Sequence, residues 1–214
     1  KLFNPYLNYF YYLATTFLPI MLLIFILMST VYAIGSEYKQ GTAGEWLKTA
    51  NGSIIRALSG KLLPYALIWF TLMLFMNIVM FRFFHTPLNG EVWLIVLNAF
   101  LFVLAYMATG IFIAAIFPAL RMGLSVASIY SALAFTFSGL TFPYLAMYKF
   151  VAFFGNFFPF SHYLRIFLDQ SLRDAPVAVS FEPLLYLNLF LLLPFAVLPK
   201  LKKMCLQPAY WGKL

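Results

Sequence analysis

Five long apolar runs alternate with short polar stretches along the 214-residue chain. A helix needs about 20 mostly apolar residues to cross the hydrocarbon core of a bilayer. Runs of that kind fall at residues 11–34, 62–84, 92–117, 122–142 and 183–198. The pattern predicts an all-α polytopic membrane protein with five transmembrane helices. An odd number of crossings puts the two ends of the chain on opposite sides. Residues 1–10 then form the end of an extracytoplasmic region, and residues 11–214 form the transmembrane domain.

Residues 142–181 fit neither a span nor a free loop. Phe153, Phe154, Phe157, Phe158 and Phe160 make the segment too apolar for water, while Gly155 and Pro159 interrupt any single helix. One reading is a sixth crossing from about Tyr148 to Leu168. Lys149 and Arg165 near its ends, with Asn156, Pro159, Ser161 and His162 inside, make that crossing costly in lipid. The favoured reading is a re-entrant segment on the extracytoplasmic side, because irregular backbone at membrane depth must be buried in protein.

Composition removes the soluble alternatives. The chain is 64% hydrophobic, 21% aromatic and only 9% charged, against about half apolar and a quarter charged in soluble domains. The net charge of +8 does not point to nucleic acid, because the basic residues stand singly between apolar runs. Their distribution sets an orientation instead. With residues 35–61 in the cytoplasm, nine cations lie inside: Lys39, Lys48, Arg56, Lys61, Arg121, Lys200, Lys202, Lys203 and Lys213. Five lie outside: Lys1, Arg82, Lys149, Arg165 and Arg173. The start of the chain is then extracytoplasmic and its basic end cytoplasmic. Tyr6, Tyr9, Tyr11 and Tyr12 cluster at the expected entry of the first span, a depth that suits amphipathic rings. A chain that begins outside at Lys1 without a signal sequence implies a preceding segment, most simply one more helix.

Several chemistries are missing from the pattern. Cys205 is the only cysteine, so no internal disulfide forms, and it has no metal-ligating neighbours. Gly60-Lys61 is not a phosphate-binding loop: Leu62 replaces the Ser or Thr that holds magnesium, and Ile55 replaces the first glycine. The middles of the five expected spans hold no Asp, Glu, Lys, Arg or His, only groups such as Asn77, Asn98, Ser128, Ser131, Thr136 and Asn188. Ionisable residues mark ion and proton pathways in membranes. Their absence here disfavours a proton-coupled carrier, a pump with its own relay or an intramembrane enzyme. His162, Arg165 and Asp169 stand at helical spacing. An Arg165–Asp169 pair at i,i+4 is the expected arrangement, and a small polar site is the alternative.

The first cytoplasmic stretch carries the most information. Read as one helix, Glu37 to Lys48 places Tyr38, Thr42, Trp46 and Ala50 in a row at i,i+4 spacing. An aromatic-anchored short helix suits a partner's groove or the lipid surface, and periodicity does not separate the two. The stretch resembles the signature loop of the ABC-2 type transporter permeases. The matching residues are Glu37, Gly41-Thr42, Glu45, Leu47 and Gly60-Lys61-Leu62-Leu63-Pro64. A second similarity lies at Ser138-Gly139-Leu140-Thr141-Phe142-Pro143, Met147 and Phe158-Pro159-Phe160-Ser161-His162-Tyr163. The sequence departs from the family at Lys39 and near Gly44, where further acidic residues are frequent.

The resemblance implies the membrane subunit of an ATP-driven exporter in the bacterial inner membrane. It further implies the branch that carries a large extracytoplasmic domain after its first helix, both of which would precede Lys1. The subunit would itself be no enzyme and bind no cofactor, with ATP and magnesium held by separate cytoplasmic ATPase subunits. A second permease, identical or different, would complete the dimer, and a periplasmic adaptor is a further implied partner. Glu37, Gly41, Thr42, Glu45, Trp46 and Leu47 would couple to the ATPase. Gly139, Phe142, Pro143, Phe158 and Pro159 would form the extracytoplasmic gate. Lys200, Lys202 and Lys203 would hold anionic lipid headgroups, at about 1 kcal/mol per charge. The rival classes are an ATP-independent channel or secondary carrier and a structural membrane assembly protein.

Overall fold

The computed structural model describes residues 9–138, 148–173 and 175–212. Its helices are α1 (Tyr9–Gln40), α2 (Ala43–Thr49), α3 (Ile54–Ile78), α4 (Val92–Ile116), α5 (Leu120–Phe137), α6 (Lys149–Gly155), α7 (Pro159–Ser171), α8 (Val177–Phe190) and α9 (Leu193–Leu206). A π-helical turn, Val79–Phe83, prolongs α3, and a 3-10 turn, Pro208–Tyr210, follows α9. No strand occurs among the described residues. Among the described residues, five stretches are long and apolar enough to cross a membrane: Thr15–Gln40, Ile54–Phe83, Val92–Ile116, Leu120–Phe137 and Val177–Leu206. The side chains of Tyr6, Tyr9, Tyr11 and Tyr12 lie outside the described residues, as do Gly139, Phe142, Pro143 and Met147.

The expected count of five therefore holds, while several boundaries move. α1 continues six residues beyond Ile34, to Gln40, and α3 starts at Ile54 rather than Leu62. The polar stretch between them is thus mostly helical. Hydropathy marks where a helix meets lipid, whereas the helix itself persists into the polar interface. α5 is described only to Phe137, short of the expected end at 142. The last crossing begins at Val177, not Pro183, so Glu182 lies inside α8. It also breaks at Leu191–Leu192, because Pro194 opens α9 and cannot donate the backbone hydrogen bond that would continue α8. Lys200, Lys202 and Lys203 accordingly stand on α9 rather than in a free tail.

α4 forms the centre, touching α1, α3, α5, α7, α8 and α9. Its small residues, among them Ala99, Ala105, Ala108, Gly110 and Ala114, are buried and let neighbours approach closely. Gly110 marks a close crossing: a Cβ there would sit 2.8 Å from Cβ of Thr30 on α1. The outward faces of α3, α5 and α8 carry exposed Leu63, Leu67, Phe75, Ile129, Leu133, Phe181 and Leu185. Such faces are stable against acyl chains, not against water. Several polar groups inside the spans are bonded locally. Thr30, Thr109, Ser131, Thr136 and Asn188 each donate to the carbonyl four residues earlier. Trp69 Nε1 donates to Ser29 Oγ at 3.0 Å, tying α3 to α1.

Residues 148–173 fold as two short helices broken at Asn156–Phe158. At 7 and 13 residues, neither α6 nor α7 crosses a bilayer. Every residue of α7 except Arg165 is buried, packed chiefly between α4 and α8. Asn98 of α4 donates to the carbonyl of Tyr163 at 3.0 Å. At the far end of α7, Gln170 joins three segments. The Gly90 N–H donates to its backbone carbonyl at 2.7 Å, and the Glu91 N–H to its Oε1 at 3.1 Å. Its Nε2 reaches Ser180 Oγ and the Ala175 carbonyl. A Cβ on Gly90 would lie only 2.8 Å from the Gln170 carbonyl oxygen, so glycine is what allows this approach. Gln170→Leu would leave the Glu91 N–H, the Ser180 hydroxyl and the Ala175 carbonyl without the side-chain amide they bond. It should lower stability by about 2 kcal/mol, measurable as a lower unfolding midpoint in detergent.

Candidate coupling site

The stretch between α1 and α3 is not one helix. Gly41, with φ of 74°, ends α1. The Thr42 N–H donates to the Glu37 carbonyl and the Gly41 N–H to the Tyr38 carbonyl, the pattern of a Schellman cap. The expected row of Tyr38, Thr42, Trp46 and Ala50 is therefore broken: Tyr38 belongs to α1 and is buried, while Trp46 lies on the separate α2. The glycine supplies a left-handed residue that a continuous helix does not contain.

Glu37 is the hinge of this corner. Thr42 Oγ1 donates to its Oε2 at 2.5 Å, and Lys61 of α3 makes a salt bridge to its Oε1. Lys61 Nζ also stands 5.3 Å from the centroid of the Trp46 ring, within reach of a cation–π attraction. One carboxylate thus joins α1, the turn into α2, and α3. Trp46, Glu37, Arg56 and Lys61 line a cleft of about 520 Å³ between α2 and α3. α2 buries Ala43 and Leu47 and exposes Glu45, Lys48 and Thr49. Leu47 therefore serves the protein's own core, and Trp46 is half-buried. Among the proposed coupling residues, Glu45 is the exposed one.

The chain's far end completes the corner. Trp211 Nε1 donates to the Met204 carbonyl at 3.2 Å, and the Gly212 N–H to the Tyr38 carbonyl at 2.9 Å. A Cβ on Gly44 would meet the Trp211 ring at 2.8 Å. Tyr38 and Cys205 touch through oxygen and sulfur at 3.8 Å. Sequence reading missed Trp211 and the Lys61–Glu37 bridge. Nothing local signals either contact, since they span 167 and 24 residues respectively in Gly44 to Trp211 and Glu37 to Lys61.

The other proposed residues lie elsewhere. Phe158 and Pro159 are buried at the break before α7. The Phe158 ring stacks on Phe137 at 6.0 Å, and Tyr130 Oη donates to the Phe157 carbonyl. Gly139, Phe142 and Pro143, expected beside them, lie outside the described residues. Lys202 and Lys203 are exposed on α9, and Lys200 Nζ is 3.5 Å from the Ile116 carbonyl at the end of α4.

The expected Arg165–Asp169 pair is not formed. Asp169 pairs with Arg173 at 2.6 Å, the arrangement in which the acid precedes the base along the helix and which is favoured. Arg165 reaches Asn156 Oδ1 at 3.3 Å. His162 is fully buried, and its Nε2–H donates to the Asn156 carbonyl. Burial, opposed by that hydrogen bond and reinforced by Arg165, lowers its pKa to about 4. His162 is thus neutral near pH 7. Among the described residues no three His, Cys, Asp or Glu side chains gather as a metal site.

A family model described as ABC-2 family transporter protein matches residues 1–198. Neither the comparison with curated proteins nor that with solved structures returned a match.

Proposed function

Because this chain belongs to the ABC-2 transporter family, we propose that it is the permease subunit of an exporter driven by separate ATP-binding cassette subunits docked at α2. Membership makes the chain a membrane component of a transporter with an ATP-binding cassette partner in general. The observation that carries the finer reading is the Glu37–Lys61 bridge. It joins α1 to α3, and the same carboxylate accepts from Thr42 at the start of α2, so a push on α2 would move α1 and α3 together. The exposed Glu45 and Lys48 would contact the motor. Trp46 and Leu47 would act from beneath, by holding α2 in place.

In this reading α2 faces the cytoplasm of a bacterial inner membrane, in line with the excess of Lys and Arg at that end. ATP and magnesium reside on the partner. A second permease closes the substrate path, and α6 and α7, with Phe158 and Pro159 between them, cap it outside. A periplasmic adaptor would meet that cap. The test is co-expression of the full-length chain with the ATPase encoded beside it. Glu45→Arg is expected to cut co-purification and permease-dependent ATP hydrolysis roughly tenfold, a loss of about 1.4 kcal/mol. Retention of both activities after removal of residues 37–48 would show that the ATPase docks elsewhere.

A further inference from the structure

The break between α8 and α9 opens an apolar groove against α3 and α4, on α3 turns that also flank the coupling corner. It has a volume of about 430 Å³, and its walls include Ile55, Leu62 and Ala66 of α3, Ala108 and Ile111 of α4, and Leu198 of α9. Ile55 and Ala66 are 66 − 55 = 11 residues apart, so the groove runs for roughly 16 Å along α3. Half of a bilayer core is about 15 Å. The groove is therefore about as long as one leaflet is thick, and one end of it lies at a boundary of the helix bundle. That boundary is marked by the N-terminal end of α3, the C-terminal end of α4 and the basic half of α9, with Lys200 level with Ile116.

The mouth is positively charged. Phe195 and Leu198 line the groove on α9, and Lys202 follows Leu198 at i+4, on the same row. Lys202 is exposed, with Lys203 beside it, and neither has an ion-pair partner among the described residues. An apolar slot one leaflet long, ending at lysines, matches a molecule with an acyl chain and an anionic head.

We propose that this groove is a binding site for one acyl chain of an anionic phospholipid whose headgroup phosphate rests on Lys202. The lipid would be a resident ligand that seals the α8–α9 break. The proposal needs only the membrane architecture, so it stands or falls separately from docking at α2.

Native mass spectrometry of the purified full-length protein tests it, with phosphatidylglycerol and phosphatidylcholine of identical chains as probes. The wild-type protein should retain phosphatidylglycerol preferentially. Lys202→Gln, at an exposed position, should reduce that preference about fivefold, the share of one interfacial cation. Ala66→Trp, which fills the half-buried groove wall, should lose retention of both lipids. Equal retention of the two lipids by the wild-type protein, or unchanged binding in both variants, would overturn the proposal. So would a disulfide-linked dimer formed through Leu63→Cys, which would assign the groove to a second copy of the chain.

Discussion

Glu37→Ala should leave the protein folded in the membrane but lower transport driven by its ATPase roughly tenfold, equivalent to about 1.4 kcal/mol. The carboxylate accepts from Thr42 and pairs with Lys61, and both charged side chains are about four-fifths shielded, at 17% and 21% exposure. Charge-assisted hydrogen bonds in such settings contribute about 1.5–3 kcal/mol. Partial solvent access reduces the stability cost here to about 1–2 kcal/mol. Its loss unties α1 from α3 and from the turn into α2, and leaves Lys61 only the Trp46 ring. Motion of α2 would then dissipate in the turn instead of reaching the crossing helices. Glu37→Gln keeps an acceptor for Thr42 and should be milder. Combining Glu37→Ala with Lys61→Ala should cost less than the sum of the two, because both remove one interaction. The measurement is substrate efflux with permease-dependent ATP hydrolysis recorded in parallel. Wild-type efflux by Glu37→Ala would refute a rigid corner as the transmission.

The largest effect on stability is expected at the centre of the bundle. Gly110→Val should lower the free energy of unfolding by about 3 kcal/mol, the upper end for overpacked cores. Even a single Cβ would lie 2.8 Å from Thr30 Cβ, 2.9 Å from Thr30 Cγ2 and 3.4 Å from the Leu27 carbonyl oxygen. Valine adds two methyl groups at that spot, and its branched side chain has few rotamers in a helix with which to escape. α1 and α4 must then separate along their shared length. Gly60→Ala is the control, since nothing lies within 4 Å of a Cβ there and alanine favours the helix by up to about 1 kcal/mol. Unfolding midpoints of the purified variants in detergent distinguish these outcomes. A Gly110→Val midpoint equal to that of the wild-type protein would show that the α1–α4 crossing is looser than its geometry.

The candidate site was only partly legible along the chain. Glu37, Gly41 and Thr42 stand out through the resemblance to the signature loop, but the end that Gly41 gives α1 in its left-handed conformation was not legible. Trp46 and Leu47 read as part of one helix with Glu37, and neither their separate helix nor their direction was legible. An i,i+4 row drawn through Gly41 assumes a helix that the glycine interrupts. Leu47 turns inward because α2 lies against the end of α9, a contact between residues far apart in sequence. Asp169 stands four residues from both Arg165 and Arg173, and it pairs with Arg173, on its favoured C-terminal side.

Hydrophobic run length alone determined that this is a five-crossing helical membrane protein, because a bilayer demands about 20 apolar residues per crossing. The break between Asn156 and Pro159 could also be read from the chain, since glycine and proline weaken a helix wherever they stand. Tertiary structure decided the rest: that α4 is central, that Gln170 closes onto Gly90, and that Glu37 joins α1 to α3 through Lys61. Each depends on which surfaces meet at ångström distances, and periodicity along one helix carries no information about the side chains of another.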